Sequence, residues 1–204
     1  FLDFLNSGAI CAKKLGYCKP ELVESSNSFF NANKLRHPIV EVISQDIEYH
    51  PHTLALGEEL KGILLYGINS SGKSTLMKSI GLNVILAQIG MFTSCDDFTF
   101  YPFTKLLTKI STIDNLFRGQ STFIVEMQEL KNILQKSDEN TLVLCDELTA
   151  GTETDSATGI VASTLLSLLD KKAKFMFTTH LHGIINFPEI SKNELLSIKH
   201  FKVY

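Results

Sequence analysis

The run Gly67-Ile68-Asn69-Ser70-Ser71-Gly72-Lys73-Ser74-Thr75 constrains this 204-residue chain more than any other stretch. It carries the spacing G-x-x-x-x-G-K-[ST] of a phosphate-binding loop, between the apolar run Ile63 to Tyr66 and a pattern of helical period. A buried strand that hands such a loop to a helix wraps successive backbone N–H groups around an anion and points the positive helix end at it. Gly67 and Gly72 permit backbone conformations and close approach that a side chain would block. Lys73 offers a point charge to terminal phosphates, and the Ser74 hydroxyl one ligand to Mg²⁺. The competing use of such a run is a Gly/Ser-rich turn, for which neither the preceding strand nor the following helix is needed.

An α/β alternation unfolds from that point. The spacing predicts a strand over 63–66 and a helix from about Ser74 to Ile89, with Leu76, Ile80, Val84 and Ala87 on one face. Phe123, Met127, Leu130 and Leu134 mark a second helix just after Gly119-Gln120-Ser121. Thr141 to Cys145 is an apolar run that ends in Asp146 and Glu147, as a buried parallel strand would. Ligands sit beyond the carboxyl ends of such strands, so both acids fall at the phosphate end of the sheet. A helical stripe from Asp155 to Leu169 leads to the strand 175–178, with His180 just past its end. Before the loop, Phe1 to Lys14 reads as a helix stopped near Gly16. Residues 17–60 carry Pro20, Pro38 and Pro51 and a β-prone run at Ile39-Val40-Glu41-Val42, which suggests an irregular or antiparallel lead-in. The segment 92–113 reads as mixed, with its strand order open.

The chemistry of these positions is that of a nucleotide hydrolase. Asp146 suits a second Mg²⁺ contact through water, and Glu147 can polarise an attacking water. A solvated acidic turn is the alternative. His180 stands where it could sense a γ-phosphate, or could simply cap the strand end. Gly119 and Ser121 before a helix make a second anion-receptive N-terminus, which either meets a nucleotide on a partner subunit or serves only as an N-cap.

A formal charge of -3 excludes a globally basic surface, so contact with DNA is expected to lie mostly outside this chain. Cys11, Cys18, Cys95 and Cys145 lack metal-ligand spacing and read as reduced thiols of an intracellular protein, in cytoplasm, nucleus, mitochondrion or viral factory. No apolar stretch is long enough to span a bilayer. The chain starts at Phe1 within an apolar pattern, and a piece of a longer polypeptide is expected.

The series Arg36-His37-Pro38-Ile39-Val40-Glu41, Gly67 to Thr75, Ser121-Thr122-Phe123-Ile124-Val125-Glu126-Met127, Asp146 to Glu153 and Thr178-Thr179-His180 resembles the ATPase domain of the MutS family of DNA mismatch-repair proteins. Order and spacing agree over nearly the whole chain. The resemblance implies a three-layer ABC-type P-loop NTPase fold with a mostly parallel central sheet and an antiparallel β lead-in. It divides the chain into the end of a lever helix over 1–16 and the ATPase domain over 17–204. It makes Gly67, Asn69, Ser70, Ser71, Gly72, Lys73, Ser74 and Thr75 the nucleotide loop, and Ser74 and Asp146 the Mg²⁺ residues. Glu147, with Lys73 and His180, would be catalytic. It places adenine stacking near Tyr49 or His50, offers Ser121 in trans to the ATP of a second subunit, and makes Thr149 to Thr152 the loop that couples two sites. Partners implied are a MutS-type dimer mate and mismatched or branched DNA held by domains outside this chain, with no membrane.

The chain departs from the family pattern in its loop, where Ile68 and Ser71 replace a proline and a glycine, and in Thr149-Ala150-Gly151-Thr152, which lacks the usual arginine. The Ser-Ser-Gly-Lys variant looks more like the giant-virus and octocoral-mitochondrial branch than the common repair proteins. The alternative functions are the nucleotide-binding subunit of an ABC transporter, a coiled-coil chromosome ATPase, and a catalytically slow scaffold ATPase. Lys73 and Ser121 lie too close in sequence for the helical subdomain a transporter inserts there, and the coiled-coil reading fails on length unless hundreds of residues were removed between the loop and the acidic strand.

Overall fold

The computed structural model describes residues 2–43, 49–67, 71–110, 122–148 and 153–201. Along the chain these form α1 (Leu2–Leu15), β1 (Glu21–Leu22), β2 (Phe29–Leu35), α2 (Val40–Ile43), β3 (His52–Leu56), β4 (Gly62–Tyr66), α3 (Lys73–Gln88), β5 (Asp97–Tyr101) and β6 (Lys105–Lys109). There follow α4 (Thr122–Lys136), β7 (Thr141–Asp146), α5 (Thr154–Asp170), β8 (Lys174–Thr179), a 3₁₀ turn over His182–Asn186, α6 (Pro188–Ser191) and β9 (Leu196–His200). They fall into two compact units, one of Phe1–Gly57 and Thr75–Pro102, the other of Glu58–Ser74 and Phe103–Tyr204.

The first unit holds a mixed sheet in the order β1-β5-β2-β3. β2 runs antiparallel to both β3 and β5, whereas β1 pairs with β5 in parallel. The antiparallel lead-in is thus present, but with a parallel edge strand that sequence reading did not foresee. Alternate residues of β2, Phe30 and Ala32, are buried, and Phe30 stacks on Phe98 with ring centroids 6.0 Å apart. In α3, Leu76, Ile80, Val84 and Ala87 are buried as the helical stripe predicts, along with Met77.

The run Ile39-Val40-Glu41-Val42 is not a strand. Val40–Ile43 forms one turn of helix, because His37 Nδ1 accepts the N–H groups of both Ile39 and Val40 at 3.2 Å and so caps the turn. Burial lowers the His37 pKa, which favours the neutral, accepting ring. Its neighbour Arg36 closes α1: Nη2 donates to the carbonyl oxygens of Leu15 and Gly16 at 3.2 and 3.1 Å, and Nε to Glu41 at 2.8 Å. Gly16, at φ 65°, takes the left-handed conformation that ends the helix.

The second unit is built on a five-stranded sheet in the order β6-β7-β8-β4-β9, parallel in every pair. Every residue of β7 and β8 is buried, which is why both read as continuous apolar runs. α5 buries Ala157, Val161, Leu165 and Leu168 in the same core as Phe175, Phe177 and Leu64. The last strand, β9, spans 196–200 and pairs in parallel with β4. At the opposite edge from the loop, the fully buried Lys174 donates from Nζ to Glu139 O at 2.7 Å, and burial lowers its pKa to about 8.

Gly62 has the least room of the described glycines. A Cβ there would lie 2.2 Å from Phe175 Cζ and 2.9 Å from Leu196 Cδ1. Gly62→Ala is therefore expected to destabilise the chain by about 1–3 kcal/mol, read as a lower urea midpoint with unchanged slope.

Candidate functional site

Gly67, Lys73, Asp146, Glu147 and His180 lie at the carboxyl edge of the five-stranded sheet, where β4, β7 and β8 end side by side. β4 delivers Gly67, and α3 starts at Lys73. Gly72 between them has φ +95°, with nothing within 4 Å of where a Cβ would sit, so its backbone conformation rather than crowding calls for glycine. Lys73 is only 4% exposed, and its Nζ donates to Gly67 O at 2.8 Å. The ammonium is thus folded back across the loop that precedes it. Ser71 Oγ is buried with no hydrogen-bond partner among the described residues. An orphaned hydroxyl in an anion cradle fits a phosphate oxygen as its missing partner. Ser74 and Thr75 follow in the first turn of α3, both half-buried.

β7 brings the two acids. Asp146 is buried, and its Oδ1 accepts a hydrogen bond from Thr178 Oγ1, the residue opposite it on β8. That bond fixes one carboxylate oxygen and leaves the other for a ligand. Glu147 comes next with φ 43°, a left-handed conformation uncommon for a non-glycine residue. Its N–H donates to Thr178 O at 3.2 Å, which turns the chain off the strand at this point. The side chain comes to 4.0 Å from Lys73 Nζ and is about one-third exposed. A buried cation and a partly solvated carboxylate therefore face each other across the loop. Among the described residues no three His, Cys, Asp or Glu side chains gather into a metal site. The donor set here, one carboxylate and one hydroxyl, fits Mg²⁺, which takes most of its ligands from phosphate and water.

His180 lies one residue past β8 and is exposed, with Leu181 N donating to Thr179 Oγ1 at 3.1 Å to shape the turn behind it. Tyr49 and His50 belong to the first unit. Tyr49 is half-buried, its ring edge-on to His52 at 6.3 Å, and burial raises its hydroxyl pKa; His50 is exposed. Asn69, Ser70 and Ser121, together with the loop Thr149 to Thr152, lie outside the described residues.

Sequence reading overlooked three contributors. Thr178 was seen only as strand, although its register opposite Asp146 makes it the acid's anchor. Tyr66, the last residue of β4 and next to the loop, contacts the rings of His200, at 4.8 Å, and His182, at 5.7 Å edge-on. Glu126 is buried on α4, 3.6 Å from Lys109 at the end of β6, and thereby ties the first turns of that helix to the sheet edge. Only Thr178 left a signal, since a polar residue closing an otherwise apolar buried strand needs a partner.

Residues 63–203 match the MutS domain V family. Among curated proteins the chain is 43% identical to the mitochondrial DNA mismatch repair protein mutS homolog of Sarcophyton glaucum, over 90% of this chain and 19% of that protein. It is 36% identical to a mutS homolog of Acanthamoeba polyphaga mimivirus, over 98% of this chain and 21% of the relative. It is also 36% identical to DNA mismatch repair protein MutS of Lactobacillus delbrueckii subsp. bulgaricus, over 99% and 23%. The chain spans about a fifth of the length of the curated relatives it matches. The mimivirus and octocoral similarities agree with the Ser-Ser-Gly-Lys form of the loop, and the family match displaces the transporter and coiled-coil alternatives. No described helix is long and apolar enough to cross a membrane. Matched over 63–203, with a phosphate loop, a paired-acid strand end and a histidine on one sheet edge, the chain belongs to the MutS domain V family, the ATPase domain of MutS-family DNA mismatch repair proteins.

Proposed function

We infer that the chain hydrolyses ATP with Mg²⁺ in a composite site made by two copies of this domain, and that the cycle controls a clamp on DNA held by other parts of a longer protein. The observation that carries the reading is the buried Lys73 ammonium, held over the loop at 2.8 Å from Gly67 O and facing Glu147 at 4.0 Å. A cation kept 4% exposed where the loop of phosphate-binding spacing meets its helix is placed to receive the negative charge of terminal phosphates.

Gly67, Asn69, Ser70, Ser71, Gly72 and Thr75 would cradle the phosphates, with Ser71 Oγ gaining the partner it lacks. Ser74 and Asp146 would hold Mg²⁺, which when bound neutralises charge on the β- and γ-oxygens. Glu147 accepts the proton of the attacking water, and its partial exposure leaves a path for that water. His180 contacts the γ-phosphate, and Tyr49 or His50 stacks on adenine. Ser121, which precedes Thr122 in sequence, is offered to the ATP of the facing subunit, and Thr149 to Thr152 relay its state. The three-layer ABC-type arrangement, the lever-helix end at 1–16 and the ATPase domain at 17–204 belong to the same reading. Mismatched or branched DNA as the ligand of the complete protein is supported by the relatives' names and by the small share of their length found here.

The test is complementation between two dead chains. Lys73→Ala and Ser121→Ala should each abolish turnover alone. Mixed in equal amounts they should recover roughly a quarter of wild-type ATPase rate, because each mixed dimer of a two-fold assembly regains one intact site. A slow scaffold ATPase would show no such recovery, and neither would a site complete within one subunit.

A further inference from the structure

Two of the four cysteines meet in the first unit, far from each other in sequence. Cys18 Sγ lies 3.6 Å from Cys95 Sγ, and Thr93 Oγ1 touches both sulfurs, at 3.2 Å from Cys18 and 3.3 Å from Cys95. The backbone holds them there. Cys18 and Thr93 exchange both N–H···O bonds, at 3.0 and 2.9 Å, in an isolated antiparallel bridge, and Cys95 N donates to Thr93 O at 2.9 Å. Cys18 is half-buried and reachable from solvent, whereas Cys95 is fully buried behind it. Cys11 is exposed and Cys145 is buried in β7 of the other unit, and no contact to a second thiol is found for either.

We propose that Cys18 and Cys95 form a redox modification site, a dithiol that low-molecular-weight disulfides of the glutathione class convert reversibly to an intramolecular disulfide. The hydrogen bonds from Cys95 and Thr93 draw the Cys18 pKa down to about 6, while the Cys95 thiol is pushed up, so the accessible sulfur is the nucleophile and the buried one keeps its proton. Cys18 thiolate attacks one sulfur of the small disulfide, forms a mixed disulfide and expels one thiolate. Cys95 sulfur then attacks Cys18 Sγ; the new S–S bond forms as the second small thiol departs, taking the Cys95 proton. Two protein thiols are oxidised and one small disulfide is reduced to two thiols. A separation of 3.6 Å needs only side-chain rotation to reach bonding distance, with the backbone bridge already in place.

The product would fasten the segment just after α1 to the chain leading into β5. Those two segments are otherwise joined by the Cys18–Thr93 bridge and by Arg36, which binds Leu15 and Gly16 at one end and Asp96 at the other. Oxidation would therefore stiffen the base of α1 without touching the phosphate loop.

The experiment treats the reduced 204-residue chain with excess glutathione disulfide, alkylates the remaining thiols, and maps peptides without reduction. Alkylatable cysteines among Cys18, Cys95 and Cys145 should fall from three to one, with a Cys18–Cys95 cross-linked peptide that dithiothreitol removes. Hydrogen exchange of the last turn of α1 should slow in the oxidised form. Cys95→Ser should instead stop at a glutathione adduct on Cys18. Persistent glutathionylation of Cys18 in the wild-type chain with Cys95 still alkylatable would overturn the proposal, as would full retention of both thiols.

Discussion

Glu147→Gln should bind ATP as well as the unaltered chain or better, and lose turnover by about 10²–10⁴-fold in a single-turnover assay. The amide keeps the shape of the carboxylate and takes no proton from water. Improved binding follows from the resting geometry: Glu147 faces Lys73 at 4.0 Å, so in the absence of nucleotide it competes with phosphate for the same ammonium. Removing its charge removes that competitor. The altered chain should accordingly remain dimeric for longer with ATP in sedimentation velocity, since the closed state loses its route of exit. Turnover at the ordinary rate would take Glu147 out of the mechanism.

Lys73→Ala should weaken ATP binding by at least about 100-fold in a fluorescent-nucleotide titration, the scale expected when a buried, hydrogen-bonded cation is removed from an anion site. The loss has two parts. Phosphate loses its closest positive charge, and Gly67 O loses a donor at 2.8 Å, so the loop also loses its internal brace. Lys73→Arg should not restore affinity, because a planar fork is too wide for a pocket that leaves Lys73 only 4% exposed. An unchanged dissociation constant in the Ala chain, with its melting curve intact, would mean that nucleotide binds elsewhere.

The carboxyl edge of the five-stranded sheet was legible in the sequence because its signals are local. A loop of fixed spacing follows β4, a carboxylate pair ends β7, and a histidine follows β8, and buried parallel strands bring those ends together whatever lies between. What stayed hidden depends on long-range pairing. β1 joins β5 in parallel through Glu21 and Thr99, and nothing near Glu21 announces a partner so distant. Cys18 and Cys95 meet for the same reason. The short helix at Val40–Ile43 was misread because three β-branched residues among the four of Ile39 to Val42 outweigh, on propensity alone, a cap from His37 that only the folded backbone reveals. Thr178 was named without a role, since its task is set by register with Asp146 and not by its neighbours in sequence.

With Glu147 in its proposed role as acceptor of the water proton, the left-handed backbone there sets stability and turnover against each other at one position. Glycine would relieve about 1 kcal/mol of strain there and leave the chain inert, so screens that reward heat resistance alone would drift toward a tougher, silent protein.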